Sequence, residues 1–536
     1  MKLSNFIYFF AIFLLGILPL KADFVDQKNI VLIICDDLND YIEGLGGHPQ
    51  AITPNIKQLA QEGISFTNAH SNNPVCAPSR SSFLTGIYPH TSKNLFWAKW
   101  YENPVLKNSK TIMEYFKDAG YHVAGTGKIM HHHLPDVWTE YKNKANYGPF
   151  ASKNKKWTSH PSVPKPFSNI GAIDGSFAAL ENIPYENDGD PSSGWVSGKF
   201  NKNGQVPFKI DLSTGERDLT PDEKNAKWAS NWLKENSNLE QPFFLAVGFI
   251  RPHTPLHVPQ KYFDKHPLET LQLPNILEND SDDTLLQTVL KETTKGYRYY
   301  DMICESYGDK KTALLNFTQA YLASVSFVDD CVGKILKSIK ANNLSDNTII
   351  VFTSDHGWSM GQKDFLFKNS PWDESTRVPL IIKDPSNNYA GYTIPNAVSL
   401  IDIYPTLIDL VDLDSDNRKN ENGASLDGFS LKPFIDDPLN GKWKGPDFAL
   451  SMIYSGEQSL NPIRANKKKD PSYQHWSLRF NDWRYIRYNT GAEELYNLKE
   501  DPREWKNIAE ENPGESQKFK MMLEDTLGQK LVTIMN

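Results

Sequence analysis

Three short apolar runs, each ending abruptly in ionisable residues, constrain the fold more than any other feature of this chain. The first, Asn29 to Cys35, is rich in β-branched residues and stops at Asp36-Asp37. The second, Phe243 to Ile250, stops at Arg251-Pro252-His253; the third, Thr348 to Thr353, stops at Ser354-Asp355-His356-Gly357. Continuous apolar runs of this length read as strands covered on both faces. Helical patterns separate them at Thr53 to Gly63, Thr111 to Gly120 and Leu314 to Asn342. Strands and helices in alternation predict an α/β sandwich whose large mixed, mostly parallel sheet is flanked by helices. In such sheets ligands bind outside the carboxyl ends of the strands, where these runs deliver acids and histidines. One such ending reads equally well as a turn or a helix cap. Three together point to a site.

The composition changes near Asp436 to Gly445, which is rich in Asp, Pro, Gly and Lys. Beyond it, Phe448 to Tyr454 and Trp476 to Tyr488 each read as a strand, and Glu493 to Leu498 leads into a polar helix. We therefore expect a catalytic domain over residues 23–440 and a smaller α+β subdomain over 441–536. Residues 154–222 are rich in Lys, Asn, Ser, Pro and Gly and read as a long insertion on the active-site side.

At 536 residues the chain exceeds one ordinary domain, and its net charge of −8 leaves no basic footprint for nucleic acid. Binding an anion against that field needs a local cationic pocket. The amino terminus, a lysine followed by an apolar run from Phe6 to Leu20 and a small residue at Ala22, reads as an export signal over residues 1–22. The alternative is an uncleaved anchor, for which the run is short. The mature protein is therefore expected to be periplasmic or secreted, free of the membrane after cleavage. Export permits disulfides, and Cys304 and Cys331 are available to pair, but four cysteines make no disulfide framework. Cys35 reads as a core residue; Cys76 lies in a polar, proline-flanked segment that needs another explanation.

That segment is Cys76-Ala77-Pro78-Ser79-Arg80, followed by Leu84-Thr85-Gly86. It resembles the signature of the formylglycine-dependent sulfatases, Cys-x-Pro-Ser-Arg-x-x-x-Leu-Thr-Gly. Asp36-Asp37-Leu38-Asn39, Gly127-Lys128-Ile129-Met130-His131, Arg251-Pro252-His253-Thr254-Pro255 and Ser354-Asp355-His356-Gly357-Trp358 follow the family's order. Their details are most similar to iduronate-2-sulfatase and its bacterial relatives, with Asp355-His356 where many members have Asp-Asn. The resemblance implies an alkaline-phosphatase-like fold and hydrolysis of a sulfate monoester. It also implies that a maturation enzyme converts Cys76 to formylglycine (3-oxoalanine), whose hydrate attacks sulfur.

Such a nucleophile needs a cation, and the carboxylates Asp36, Asp37 and Asp355 suit a hard one, Ca²⁺ in preference to Mg²⁺. By the resemblance, Asp36, Asp37, modified Cys76, Asp355 and His356 would ligate it. Arg80 would hold the formylglycine hydrate, and Lys128 and Lys368 would bind sulfate oxygens. His131 would act as base in product release, with His132 and His133 as competitors for the inward position. His253 would bind sulfate or protonate the leaving oxygen. Trp97 and Trp100 read first as structural, with sugar stacking as the alternative; His257 and Lys363 lie near the motifs without belonging to one. The substrate implied is a sulfated oligosaccharide or polysaccharide, a uronic-acid-containing glycosaminoglycan or algal glycan, attacked from a chain end. The rival readings are a phosphonate or phosphodiester hydrolase of the same superfamily and a non-catalytic glycan-binding relic.

Overall fold

The computed structural model describes residues 27–185, 193–201, 204–288, 294–413, 416–455 and 470–533. The expected export signal lies outside the described residues. Among these residues no helix is long and apolar enough to cross a membrane.

An eight-stranded sheet forms the centre. Its order is Thr393–Ile394, Ile64–Phe66, Leu380–Lys383, Thr348–Ser354, Asn29–Asp36, Phe243–Pro252, His122–Gly127 and Glu140–Lys144. The central strands run parallel, whereas Leu380–Lys383 is antiparallel to both its neighbours, so the sheet is mixed but mostly parallel. The first strand shows why a continuous apolar run was needed. Val31, Ile33 and Cys35 face one core, and Ile30, Leu32 and Ile34 face another on the opposite side. Each such aliphatic burial contributes roughly 1.5–3 kcal/mol. The helices Pro54–Glu62, Pro221–Glu235 and Lys310–Ala341 cover the first face; Ile112–Asp118 and Ile403–Leu410 cover the second. Thr111 and Thr220 open two of these helices with capping boxes.

The fourth central strand, His122–Gly127, was not foreseen, because glycines interrupt its apolar pattern. Gly127 has φ +85°, and a Cβ there would lie 1.8 Å from the Gly248 carbonyl oxygen on the neighbouring strand. Only glycine lets the chain turn there and present Lys128 at the strand end.

The segment read as one strand over Trp476 to Tyr488 is a hairpin, His475–Phe480 and Trp483–Arg487, turning at Asn481-Asp482. With Phe448–Ile453 and Glu493–Asn497 it forms a four-stranded antiparallel sheet on which helix Pro513–Leu527 packs through Phe519 and Leu523. The insertion forms a second small sheet (Phe150–Lys153, Lys156–Thr158, Gly194–Asn201, Gly204–Pro207) beside the segment that follows His253. Cys304 and Cys331 do not pair: both thiols are free. Cys304 sits half-buried beside Tyr300, whereas Cys331 points into the core toward Asp222, so the two face different ways.

Asp222 pins the second predicted strand. Its carboxylate accepts hydrogen bonds from the Ile250 and Arg251 amides at 2.9 and 3.0 Å. Burial pushes its carboxyl up to about 6, above the unfolded value of about 3.9. The fold therefore holds this proton more tightly than the unfolded chain, and the associated stability, complete below about pH 4, is lost as pH rises through about 6. In urea titrations the native chain should lose about 3 kcal/mol relative to Asp222→Asn between about pH 4 and about pH 8. Gly127→Ala should cost roughly 2–4 kcal/mol at any pH in the same experiment.

Candidate active site

Cys76 opens the helix Cys76–Phe83, in which every residue is buried. Two residues of that helix tie it to the sheet. Ser79 donates its hydroxyl to the Asp355 carbonyl at 2.6 Å. Arg80 donates from Nε to Asp355 at 2.8 Å and from Nη2 to Asp36 at 3.2 Å. Its remaining hydrogen bonds reach the carbonyls of Cys35, Lys128 and Ile129. Strand register explains how the acids meet: Cys35 pairs with Ser354 and Asp36 with Pro252, so three strand ends finish side by side.

Asp37 turns the chain at φ 62°, an unusual conformation for a non-glycine residue. Its amide donates to Asp355 at 3.2 Å, and its carbonyl accepts from the Tyr321 hydroxyl at 2.7 Å. Two cations reach the acids: Lys128 pairs with Asp36, and Lys368 Nζ lies 2.9 Å from Asp37 Oδ1 and 3.0 Å from Cys76 Sγ.

The histidines are oriented by their outer nitrogens. His356 Nδ1 lies 3.0 Å from the Gly357 carbonyl, which can only accept, so this nitrogen carries the proton. The ring's Nε2 faces Cys76 Sγ and Asp37 Oδ1, both at 3.3 Å, and Asp355 at 3.7 Å. His253 repeats the arrangement, with Nδ1 on the Thr254 carbonyl at 2.6 Å and Nε2 3.7 Å from Asp37.

The electrostatics divide the adjacent acids. Burial raises Asp36, but Lys128, His253 and Arg80 outweigh it and hold that carboxyl well below the usual range. Burial, against Lys368 and His356, pushes Asp37 well above it. Burial and Asp36 also push the Cys76 thiol up, so the encoded residue is not an activated thiolate. Burial, then Lys368, keeps His253 neutral.

The three carboxylates suit a hard divalent cation, with Cys76 Sγ standing where a formylglycine oxygen would be and imidazole as the softer donor. Ligand atoms of Asp36, Cys76, Asp355 and His356 all lie within 4.8 Å of one another, as do those of Asp37, Cys76 and His253. Carboxylates this close together call for positive charge between them. Lys128 and Lys368 supply part of it here. If those lysines turn to hold an anionic substrate, the acids need a replacement, which a divalent cation provides.

The structure thus brings Asp36, Asp37, Cys76, Arg80, Lys128, His253, Asp355, His356 and Lys368 into one buried cluster. Of the three consecutive histidines, His131 is the most enclosed. Its ring lies beside Arg80, Ala77 and Met130, edge-on to Trp97, and among the described residues its Nδ1 has no hydrogen-bond partner. Burial, then Lys128 and His132, pushes it down to about 3, so the ring is neutral and a weak base at rest. Trp100 is structural, buried with its Nε1 donating to the His132 carbonyl. His257 is held between Ser176 and the Pro149 carbonyl, and Lys363 between Asp280 and the Glu504 carbonyl.

Sequence reasoning missed the residues that position Lys368. The neighbouring Asn369 exchanges two hydrogen bonds with the backbone of Tyr454, at 3.2 and 3.0 Å. Arg484 reaches the Pro371 carbonyl at 2.6 Å and pairs with Asp373 and Glu504. It also missed Tyr147, whose ring lies between Lys128 and His253. No local motif marks any of these; their partners lie far away in the chain.

The family model for sulfatases matches residues 28–413, and that for the C-terminal region of N-sulphoglucosamine sulphohydrolase matches residues 356–532. A Formosa agariphila protein named sulfatase is 31% identical over 497 residues, covering 90% of this chain and 83% of that protein. Iduronate 2-sulfatase of Homo sapiens is 27% identical, covering 91% of this chain and 92% of that protein. A solved phosphonate monoester hydrolase from Silicibacter pomeroyi superposes with a TM-score of 0.67 at 19% identity, over 95% of this chain and 96% of that one, a likeness of fold alone. The fold is the alkaline-phosphatase-like one of the sulfatases. With a match across most of its length and a relative above 30% identity, the chain belongs to the sulfatase family, enzymes that hydrolyse sulfuric esters.

Proposed function

We propose that this protein removes sulfate from a sulfated glycan, acting at a chain end of a uronic-acid-containing glycosaminoglycan or algal polysaccharide. One observation carries the reading: Cys76 Sγ sits within 3.3 Å of both Lys368 and His356, at the meeting point of three carboxylates. Likeness to iduronate 2-sulfatase supports the glycan. In this reading a formylglycine-generating enzyme matures Cys76, and export places the enzyme in the periplasm or outside the cell. The catalytic and C-terminal units divide at residue 440.

Matured to formylglycine, Cys76 supplies a hydrated aldehyde with one oxygen to attack sulfur and a second whose deprotonation releases sulfate. Asp36, Asp37, Cys76, Asp355 and His356 would hold Ca²⁺, which when bound favours the ionised nucleophile and offsets sulfate charge. Lys128 and Lys368 bind the sulfate oxygens, exchanging their carboxylate partners for substrate. Arg80 fixes the Cys76 helix against Asp36 and Asp355, and so orients the nucleophile. His253 is neutral at rest; a bound sulfate anion beside it favours its protonation, from which state it gives a proton to the departing sugar oxygen. His131 is neutral with an open Nδ1; the bound sulfate anion offsets Lys128 and raises the ring's basicity, and it then accepts the proton lost on release.

The rival reading is a phosphonate or phosphodiester hydrolase of the same superfamily. Parallel assays with nitrophenyl sulfate, phenyl phosphonate and defined sulfated oligosaccharides decide between them. Faster turnover of the phosphonate would replace the sulfatase assignment. Activity should scale with the fraction of Cys76 that mass spectrometry finds as formylglycine, and a fully active unmodified thiol would end the mechanism. Lys368→Ala should lower kcat/KM for the sulfate ester about 10²–10³-fold in matched, matured protein. Saturating Ca²⁺, at about 100 times its Kd, should stabilise the chelator-treated protein by about 2.7 kcal/mol in thermal denaturation. Asp355→Asn should lose most of that gain; an equal gain in the variant would remove Asp355 from the cation site.

A further inference from the structure

The loop that follows the Cys76 helix, residues 91–105, walls a cavity of about 1110 Å³ that the proposed chemistry leaves unused. Three aromatic residues, Phe96, Trp97 and Tyr454, stand among the residues that line it. Phe96 stacks on Tyr454, with ring centroids 3.7 Å apart and planes inclined by 14°. Trp97, 39% exposed, stands edge-on to Phe96 and to His131, at 5.8 and 4.8 Å between centroids. At the rim stand the exposed Lys93 and the ion pair of Lys99 with Glu102, 3.0 Å apart.

Both walls are anchored to the catalytic cluster. Asn94 donates to Ser81 of the Cys76 helix at 2.8 Å, and Asn73 donates to the Leu95 carbonyl at 3.3 Å. On the other side, the Tyr454 amide donates to Asn369, the neighbour of Lys368, at 3.0 Å. The cavity therefore moves with the nucleophile and the sulfate-binding lysine. It begins where His131 ends, because Trp97 touches both.

A π surface with a polar rim suits one kind of ligand. The C–H face of a pyranose packs on the negative face of an indole, while its hydroxyl and anionic substituents reach the rim. We propose that this cavity is a subsite for the sugar adjoining the sulfated one, with Trp97 as its stacking platform. The proposal rests on the glycan reading above and extends it: the substrate is a chain rather than a free monosaccharide. Preformed walls limit the ordering cost of binding, so the second sugar adds affinity.

Calorimetric titration of protein whose Cys76 is an unmodified thiol, with uronic-acid-containing di- and tetrasaccharides from heparin and ulvan, sulfated and desulfated, tests the subsite without turnover. At least one tetrasaccharide should bind the native chain about tenfold more tightly than its disaccharide. Trp97→Ala should abolish that advantage, and Trp97→Phe should retain most of it. No length advantage in the native chain, or an equal one in Trp97→Ala, overturns the proposal. Sulfate release measured in parallel separates the two ideas. Hydrolysis without length dependence sinks the subsite and leaves the sulfatase reading standing. Trp97-dependent binding without hydrolysis, in protein carrying formylglycine, sinks the substrate reading and leaves the subsite.

Discussion

The site depends on one buried guanidinium. Arg80 joins Asp36 and Asp355, on adjacent strands, to the helix that carries Cys76, and its remaining donors hold the turn after Lys128. Burying such charges is costly, and removing one partner of a buried pair typically costs about 3–5 kcal/mol. That cost makes the arrangement specific. Three acids of like charge share a water-poor corner only because Arg80, Lys128 and Lys368 face them. The cluster is therefore both the functional centre and a condition for closing the sheet edge.

The same balance gives the site its chemistry. In the proposed mechanism a sulfate ester would compete with the carboxylates for Lys128 and Lys368, so substrate binding and cation binding would support each other. Histidine tautomers are set by carbonyls outside the cluster, which leaves Nε2 of His253 and His356 facing inward. The C-terminal unit shares in this arrangement. Through Asn369–Tyr454, Trp372–Glu494 and Arg484–Pro371 it grips the segment from Lys368 to Asp373, so Lys368 is positioned by a sheet formed late in the chain.

Much of this was legible before any coordinates. The strands ending at Asp36, His253 and Asp355 were read correctly because full burial demands unbroken apolar runs. The strand ending at Gly127 escaped because close packing against Trp138 and Gly248 requires glycine where apolar side chains would have signalled it. The hairpin over 475–487 was read as one strand because its two-residue turn, Asn481-Asp482, hardly interrupts the pattern. Trp97 and Trp100, three residues apart, looked alike in sequence. Burial separates them, one an anchor to His132 and the other an open platform beside His131.

The sequence by itself determined the family, the candidate nucleophile and the set of acids, histidines and lysines proposed to surround it, because those chemical identities sit in short contiguous motifs at strand ends. Only the tertiary structure decided which nitrogen of each histidine faces inward, which of three consecutive histidines is enclosed, what positions Lys368 and where an aromatic cavity adjoins the site. These depend on contacts between residues far apart, such as Asn369 and Tyr454, 85 positions away. Such pairings are fixed by packing and hydrogen-bond direction, neither of which leaves a period or a motif in the chain.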